Sequence, residues 1–173
     1  MNDNMENQSD YVKLALPKGR FLSPTANLLG EADLGFSHYS NETRRYRLRS
    51  LRFPHLSAKV FQEKDIPIQV AVGNYDLGIC GSDWIEEFMV KYPAGALVKI
   101  SSLNYGEGSI YVVASSQAGF SNLDELLAGQ NDWHIVSEYP NLAEFFALKL
   151  RMRKFRIFPV WGAAEVYPPE SAD

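Results

Sequence analysis

Lys18, Gly19 and Arg20 directly follow an apolar stretch that ends at Pro17, and their types could bind a phosphorylated anion. Glycine lets the backbone approach a ligand closely, while a lysine and an arginine can hold the charge of the ligand. Phosphate sites of this kind occur near strand ends and helix N-termini. Basic residues also decorate many exposed turns, so this segment alone favours neither interpretation.

A second basic cluster is the densest in the chain. A strand over Thr43–Phe53 would place Arg45, Arg47 and Arg49 on one face, because side chains alternate along a strand. The pattern favours a solvated strand face, and a role in binding substrate phosphate is the alternative for one or two of these arginines. The full cluster is Arg44, Arg45, Arg47, Arg49 and Arg52.

The segment "DLGICGSD" (76–83) places two carboxylates, Asp76 and Asp83, around a glycine turn. We expect both at the carboxyl end of a strand, where open α/β sheets bind ligands. Cys80 within this segment is expected to be a small buried residue and not a nucleophile, since no histidine stands nearby in the sequence. The three histidines show no metal-ligand spacing.

Two later segments carry weaker signals. In "SEYPNL" (137–142), Glu138, Tyr139 and Pro140 end a predicted strand, and Asn141 could cap the next helix. The ring of Tyr139 fits a core better than a stacking position on a base, although both stay open. Taken alone, Glu165 is a surface glutamate.

The composition bounds the class of protein. The 173 residues are 46% hydrophobic, which suffices for one sizeable core or two small lobes. A net charge of -4 argues against a general nucleic-acid binder. The single cysteine allows no intramolecular disulfide and favours a cytoplasmic location. No apolar run approaches the roughly 20 residues of a membrane helix, and residues 1–10 are expected to be a disordered polar tail.

The elements that must position these residues alternate between strands and helices, which predicts an α/β fold with mostly parallel sheets. A turn-rich segment at 104–108 predicts a hinge between lobe I (11–103) and lobe II (104–173). The predicted strands are Tyr11–Leu16, Thr43–Phe53, Ser57–Phe61, Leu77–Cys80, Leu97–Ser101, Ser109–Ala114, His134–Ser137 and Arg156–Val160. The predicted helices are Ser23–Ala32 with a Ser23-Pro24 start, a short helix from Asp65 to Val72, Trp84–Val90, Leu123–Leu127 and Leu142–Met152.

Five segments in order resemble the catalytic subunit of the ATP phosphoribosyltransferase family, which catalyses the first committed step of histidine biosynthesis. They are "LALPKGR" (14–20), "DIP" (65–67), "DLGICGSDW" (76–84), "SEYPNL" (137–142) and "WGAAEVYPPESAD" (161–173). The resemblance covers nearly all of residues 11–173, and the first and third segments are the most distinctive.

This resemblance implies a two-lobed fold of the periplasmic-binding-protein type II, with the substrates in the cleft between the lobes. Adenine N1 of ATP would attack the anomeric carbon of phosphoribosyl pyrophosphate, with Mg²⁺ present, and pyrophosphate would leave. The enzyme would mainly position the substrates and stabilise their charge. A homo-oligomer is implied, with a histidyl-tRNA-synthetase-like regulatory subunit in short-form relatives, and neither nucleic acid nor membrane as a partner.

The resemblance also implies roles for individual residues. The residues expected to act in catalysis are Lys18 and Arg20, on pyrophosphate oxygens, together with Asp76 and Glu165. Glu165 is also expected near the magnesium ion and the ribose. The residues expected to bind substrate are Gly19, Arg49, Gly81, Ser82, Glu138, Tyr139, Pro140 and Asn141, with Tyr139 on the adenine side.

Three departures from the family pattern accompany the resemblance. The Thr-Gly-rich loop that cradles the 5-phosphate would follow the "AD" dipeptide, which here is Ala172-Asp173, the last two residues. Glu170 stands where glycine is commoner, and "AEFFALKLR" (143–151) lacks an arginine pair. We therefore expect a truncated family member and a poor catalyst. The alternative is a non-catalytic or degenerate nucleotide- or small-anion-binding module.

Overall fold

The computed structural model describes residues 11–41, 45–93, 95, 97–129 and 132–173. Strands and helices alternate along this part of the chain. The strands are β1 (Val12–Pro17), β2 (Arg47–Arg49), β3 (Leu56–Phe61), β4 (Leu77–Gly78), β5 (Trp133–Ser137) and β6 (Phe155–Pro159). The helices are α1 (Leu22–Glu31), α2 (Ile66–Ala71), α3 (Ser82–Lys91), α4 (Leu123–Ala128) and α5 (Pro140–Lys149). Short 3-10 helices cover Gly19–Phe21, Glu63–Asp65 and Ala164–Val166.

The chain divides into two compact units. The first lies within Met1–Ile85 and Ala94–Gly108, and the second within Glu86–Pro93 and Ser109–Asp173. The chain therefore passes between the units three times, inside α3, after Pro93 and after Gly108. The predicted division between residues 103 and 104 lies a few residues before the last passage, and the two earlier passages were not predicted from the sequence.

The first unit is built on a four-stranded sheet with the order β2-β3-β1-β4. β1 runs parallel to β3, pairing Leu14 with Ala58, and parallel to β4, pairing Leu14 with Leu77. β2 is antiparallel to β3 at the sheet edge. The carboxyl ends of β1, β3 and β4 thus share one edge of the sheet, and their amino ends share the opposite edge.

The alternation of side chains separates the two faces of this sheet. One face carries the core, which includes Leu14, Leu16, Leu48 and Val60, and α1 packs on it through Leu22 and Leu29. On the other face Ile66 of α2 is buried over β4, where a Cβ on Gly78 would meet it at 2.5 Å. The β2–β3 part of that second face carries charged side chains instead of apolar ones.

The second unit contains a two-stranded parallel sheet, β5 with β6, in which Ile135 pairs with Ile157. α5 connects the two strands, as a parallel pair requires. Trp133 and Ala147 are buried in this unit. Residues that follow β5 and β6 therefore lie at the same edge of this small sheet.

The predicted α/β class with mostly parallel sheets is confirmed, since only the β2–β3 pair is antiparallel among the described strand pairs. The predicted strands at Leu97–Ser101 and Ser109–Ala114 are wrong: both segments are described, and neither is a strand. Val98 and Tyr111 there are 84% and 78% exposed. A short apolar run forms a strand only where a partner satisfies its backbone, and within the described residues these segments have none.

The predicted arginine strand is also shorter than expected. The strand covers only Arg47–Arg49, with backbone hydrogen bonds joining the flanking Tyr46 and Ser50 to β3, and Thr43 and Arg44 lie outside the described residues. The predicted start of the first helix is wrong as well, because a 3-10 turn leads directly into α1 at Leu22 and leaves Ser23 inside the helix.

Among the described residues, no helix is long and apolar enough to cross a membrane.

Candidate functional site

The basic turn, Lys18 to Arg20, lies at the carboxyl ends of β1 and β3. The Lys18 backbone N–H donates to the carbonyl of Phe61 at 2.9 Å, which fixes the turn to the end of β3. Gly19 has a φ of +78°, a left-handed conformation that residues with a side chain rarely adopt. The chain can therefore reverse from β1 into the 3-10 helix and α1 within a few residues, with Lys18 and Arg20 on either side of Gly19 in the turn.

Arg20 lies between two carboxylates. Its Nη2 donates to Oδ2 of Asp83 at 3.0 Å, and its Nε lies 3.5 Å from Oε1 of Glu63. The Arg20 side chain is 60% exposed, whereas those of Glu63 and Asp83 are 10% and 18% exposed. The carboxylates thus orient the guanidinium from the protein side and leave its other edge to solvent.

Glu63 is the most constrained member of this cluster. Burial raises the pKa of its carboxyl group, Arg20 partly opposes that shift, and the charge of Asp83 adds to it. Oε2 of Glu63 is buried and has no hydrogen-bond partner among the described residues. An unpartnered carboxylate oxygen is costly to bury when charged. Glu63 is therefore protonated more readily than an exposed glutamate would be.

The net charge of this cluster limits what it can bind. With both carboxylates ionised, the single positive charge of Arg20 is outweighed, and Lys18 brings the four residues only to neutrality. Lys18 also lies 5.8 Å from the ring centroid of Tyr46. An anion at this turn would depend on Lys18, the solvent edge of Arg20 and the protonation of Glu63.

Cys80 lies next to this cluster. Burial, and then the charges of Glu63 and Asp83, raise the pKa of the Cys80 thiol to about 12. At neutral pH it carries almost no thiolate, which is the nucleophilic form. This agrees with a small, inert residue at this position.

Asp76 does not lie where the sequence predicted it. Its carboxylate accepts the backbone N–H of Lys13 at 2.7 Å, and its own N–H donates to the Lys13 carbonyl at 3.0 Å. It precedes β4, whereas Asp83 follows it, so the expectation that both aspartates stand at one carboxyl end is wrong for Asp76. Because β4 is only two residues long, a turn at each of its ends resembles a single turn in the sequence.

Arg49 also lies away from the basic turn. It pairs with Ser57 near the amino end of β3, whereas the chain nearer Arg45 reaches the carboxyl end. Gly81 and Ser82, in contrast, lie beside the turn, between Cys80 and the start of α3. The backbone of Gly81 slightly opposes the rise in the pKa of the Glu63 carboxyl group.

In the second unit, the "SEYPNL" segment joins β5 to α5. The backbone N–H of Tyr139 donates to Oγ of Ser137 at 2.9 Å, and α5 begins at Pro140. The predicted cap at Asn141 is wrong, because Asn141 lies inside the first turn. Its side chain donates to Oε1 of Glu87 at 2.7 Å.

Glu87 caps α5 from another helix. Its buried carboxylate accepts the backbone N–H groups of Asn141 and Leu142 at 2.9 and 2.8 Å, besides the Asn141 side chain. A carboxylate at a helix N-terminus also complements the helix dipole. The anion position at the start of α5 is thus occupied by the protein itself. No local pattern in "WIEEF" (84–88) distinguishes Glu87 from its neighbour.

Glu138 and Glu165 lie near the carboxyl edge of the β5–β6 sheet. Oε1 of Glu138 lies 3.3 Å from where a Cβ on Gly162 would be. Glu165 is exposed on the 3-10 helix Ala164–Val166. Within the described ranges, no group of three or more His, Cys, Asp or Glu side chains could hold a metal ion.

The structure thus gathers the predicted residues in separate places within each unit. Lys18, Gly19, Arg20, Gly81 and Ser82 lie at the carboxyl edge of the first sheet, joined there by Glu63 and Asp83. Glu138, Tyr139, Pro140, Asn141 and Glu165 lie near the carboxyl edge of the second. Asp76 and Arg49 belong to neither group. Glu63 lacks any sequence signal because its partner Arg20 is 43 residues away.

Comparison with known proteins gives concordant matches. A sequence model of the ATP phosphoribosyltransferase family (HisG) matches residues 62–173. The chain is 30% identical over 173 residues to an ATP phosphoribosyltransferase of Prosthecochloris aestuarii, covering 98% of this chain and 54% of the relative. It is 30% identical over 161 residues to that of Caldicellulosiruptor bescii, covering 91% of this chain and 70% of the relative. The chain thus spans about half the length of the first of these curated relatives.

A solved structure shares the fold. It is the ATP phosphoribosyl transferase (HisG:HisZ) complex from Thermotoga maritima, with a TM-score of 0.61 and 18% sequence identity. The match covers 91% of this chain and 68% of that chain.

Proposed function

Because the chain belongs to the ATP phosphoribosyltransferase family, we propose that it provides the substrate-binding residues for transfer of a phosphoribosyl group to ATP in histidine biosynthesis. In this reaction a bond forms between adenine N1 and the anomeric carbon of phosphoribosyl pyrophosphate. The bond from that carbon to the pyrophosphate oxygen breaks, and pyrophosphate leaves with the electron pair. The periplasmic-binding-protein type II fold implied by the family is part of this proposal.

The observation that carries the proposal is the orientation of Arg20. Two carboxylates hold the guanidinium at the carboxyl edge of a parallel sheet, while 60% of its side chain faces solvent. Negative charge grows on the leaving pyrophosphate during the reaction, and a preoriented cation stabilises such charge without reorganising. Lys18 adds a second, more mobile positive charge beside it.

The second unit would supply contacts to the nucleotide. Tyr139 is half-buried at the start of α5, and an aromatic ring there offers a face for adenine. Glu87 already occupies the N-terminus of α5, so the triphosphate would need other partners than that helix end. Glu138 and Pro140 flank Tyr139, whereas Asn141 would act mainly by tying α5 to Glu87.

The family implies Mg²⁺, and the described residues fit it only in part. Mg²⁺ keeps several waters and commonly binds through one or two carboxylates together with substrate phosphates. A single exposed glutamate such as Glu165 would suit an ion that arrives with a phosphorylated substrate. It would not suit an ion bound by protein ligands alone.

A pair of substitutions with opposite expected effects tests the basic turn. Arg20→Gln should weaken pyrophosphate binding about tenfold or more, since a charge-assisted hydrogen bond contributes roughly 1.5 to 3 kcal/mol. Glu63→Gln should strengthen binding, because it removes a negative charge that competes with the ligand for Arg20. Isothermal titration calorimetry with pyrophosphate measures both. Unchanged affinity in Arg20→Gln would contradict the proposed site.

Asp76 provides a control within the set of residues that the family resemblance implies. It lies away from the basic turn, so Asp76→Asn should leave pyrophosphate affinity close to that of the unmodified chain. A loss as large as that in Arg20→Gln would show that Asp76 belongs to the site.

Turnover and assembly are parts of the same proposal. Release of pyrophosphate from ATP plus phosphoribosyl pyrophosphate measures the activity of this chain, and binding without turnover would favour a non-catalytic nucleotide-binding module. The Thermotoga maritima structure is a HisG:HisZ complex. A regulatory subunit of that kind and a homo-oligomer are therefore proposed partners, which light scattering of the chain alone and in mixture would detect.

A further inference from the structure

The second face of the first sheet carries a basic groove, defined here by Lys13, Arg45, Arg47, Arg49 and Lys59. It has a volume of about 970 Å³. Leu48 and Ala58 point to the core, and the residues alternating with them therefore point into the groove. The groove lies within the first unit and reaches Asn74 and Tyr75 near the amino ends of the strands.

The strand register brings the cations close together. Arg47 lies directly opposite Lys59, and both Arg49 and Lys13 lie opposite Ser57 from its two sides. Neighbouring strands lie about 4.8 Å apart, and residues two apart on one strand about 6.6 Å apart. The four cationic side chains on the paired strands thus start from backbone positions whose spacing matches the length of a di- or triphosphate chain. They are Lys13, Arg47, Arg49 and Lys59.

No compensating charge is seen in this arrangement. Among the described residues, no aspartate or glutamate lines the groove. None of the four cations on the paired strands has an ion-pair partner in the described part of the chain. Like charges directly opposite each other destabilise a sheet, and this cost would be offset by a bound polyanion.

The groove is separate from the basic turn. Lys13 and Arg49 lie toward the amino ends of β1 and β3, whereas Lys18 and Arg20 follow the carboxyl end of β1. Arg45 alone among the groove's cations also lines the smaller cavity that contains Lys18.

We propose that the basic groove binds a multiply phosphorylated small molecule, at a site additional to the basic turn. Arg47 and Lys59 clasp the phosphate chain from neighbouring strands, and Lys13 and Arg49 hold its other end. This inference does not depend on the reaction proposed above.

Calorimetric titration with inorganic tripolyphosphate at low salt tests the groove. The double variant Arg47→Gln with Lys59→Gln should lose affinity at least tenfold. A matched control, Arg153→Gln with Lys154→Gln, removes the same charge from exposed positions in the second unit and should change affinity less than about twofold, since exposed charges are screened. Equal losses of affinity in the two variants would show that only the net charge of the chain matters, and would overturn the proposal.

Two further measurements keep the result unambiguous. If the first variant fails to fold, as judged by circular dichroism, Lys13→Gln with Arg49→Gln removes the other end of the same site and should cause a comparable loss. In an Arg20→Gln background, which removes anion binding at the basic turn, the groove variants should still lower tripolyphosphate affinity at least tenfold; loss in Arg20→Gln but not in the groove variants would assign the anion to the turn. Tighter binding of a single-stranded oligonucleotide than of tripolyphosphate would overturn the small-molecule assignment.

Discussion

The two carboxylates that orient Arg20 also reduce its attraction for an incoming anion. Asp83 and Glu63 hold the guanidinium in place, yet an incoming anion must compete with them for its N–H groups. Protonation of Glu63 would remove half of that competition without removing the contact of Asp83. The affinity of the turn for anions should therefore follow the ionisation state of a neighbour that need not touch the ligand.

The raised pKa of Glu63 predicts a stability that falls as pH rises. The unfolded carboxyl group loses its proton near pH 4.3, its ordinary value, while the folded group retains it to higher pH. The folded state thus binds more protons in this window, and the free energy of unfolding decreases through it. Urea titrations from pH 4 to 7 should show this decrease for the unmodified chain.

Glu63→Gln is the control for this measurement, because an amide does not titrate. The stability of the unmodified chain relative to Glu63→Gln should decline from pH 4 upward. A difference that stays constant over the range would show that Glu63 titrates normally.

Cys80 gives a prediction about reactivity. With a thiol pKa of about 12, it should react with a disulfide reagent at pH 7 far more slowly in the folded chain than in urea. Its rate should keep rising beyond pH 9, where an ordinary thiol levels off. Equal rates in folded and unfolded chains would contradict the raised pKa of this partly buried thiol.

At this scale the sequence predicts what is local. Lys18, Gly19 and Arg20 are adjacent, so their shared turn could be predicted from their types alone. The pairing of Arg20 with Glu63 and Asp83 could not, because it depends on which strands become neighbours in the sheet. The wrong prediction for Asp76 also concerns the sheet. The sequence does not show that β4 is only two residues long, and its length decides that Asp76 lies before the strand and Asp83 after it.

Among the elements, α5 depends on a residue outside itself. Glu87 satisfies two backbone N–H groups and one side chain at its start, through contacts of 2.7 to 2.9 Å. The parallel pairing of strands could be predicted because strand and helix patterns alternate along the sequence. The cap was not, because a helix N-terminus can be satisfied by any acceptor that tertiary structure brings to it.

Glu87→Ala should destabilise the second unit by about 2 to 3 kcal/mol, because it leaves two partly buried backbone N–H groups and the Asn141 side chain without their acceptor. The matched control is Glu86→Ala, which removes an exposed carboxylate from the adjacent position of the same helix and should cost less than about 0.5 kcal/mol. Thermal unfolding measures both. A similar loss in the two variants would show that the cap contributes nothing specific.

Over the whole molecule, an acidic chain carries concentrated positive charge. The net charge is -4, yet five cations surround one groove and two more lie at the basic turn. Net charge describes solubility and general association, whereas a small ligand responds to charge within a Debye length of about 10 Å. The composition could therefore exclude a general nucleic-acid binder without indicating where small anions bind.

ATP should stabilise the whole chain if Tyr139 contributes to a nucleotide site. At ten times its dissociation constant, a ligand adds about 1.4 kcal/mol, which corresponds to an increase in melting temperature of about 3 to 6 °C for a chain of this size. Tyr139→Phe should preserve the shift and Tyr139→Ala should reduce it. An equal shift with ATP in both variants would show that the adenine is not recognised there.

Gly19 and Gly106 share a left-handed backbone but differ in their surroundings, and this sets which natural variation each position can accept. A Cβ on Gly19 would meet nothing within 4 Å, whereas a Cβ on Gly106 would lie 1.9 Å from the ring of Phe21. Asparagine adopts the left-handed region more readily than other residues with side chains. A randomised library selected for folding should therefore retain glycine and asparagine at position 19 but glycine alone at position 106. Evolution can therefore replace the middle residue of the basic turn, position 19, whereas position 106 beside the Phe21 ring must remain glycine.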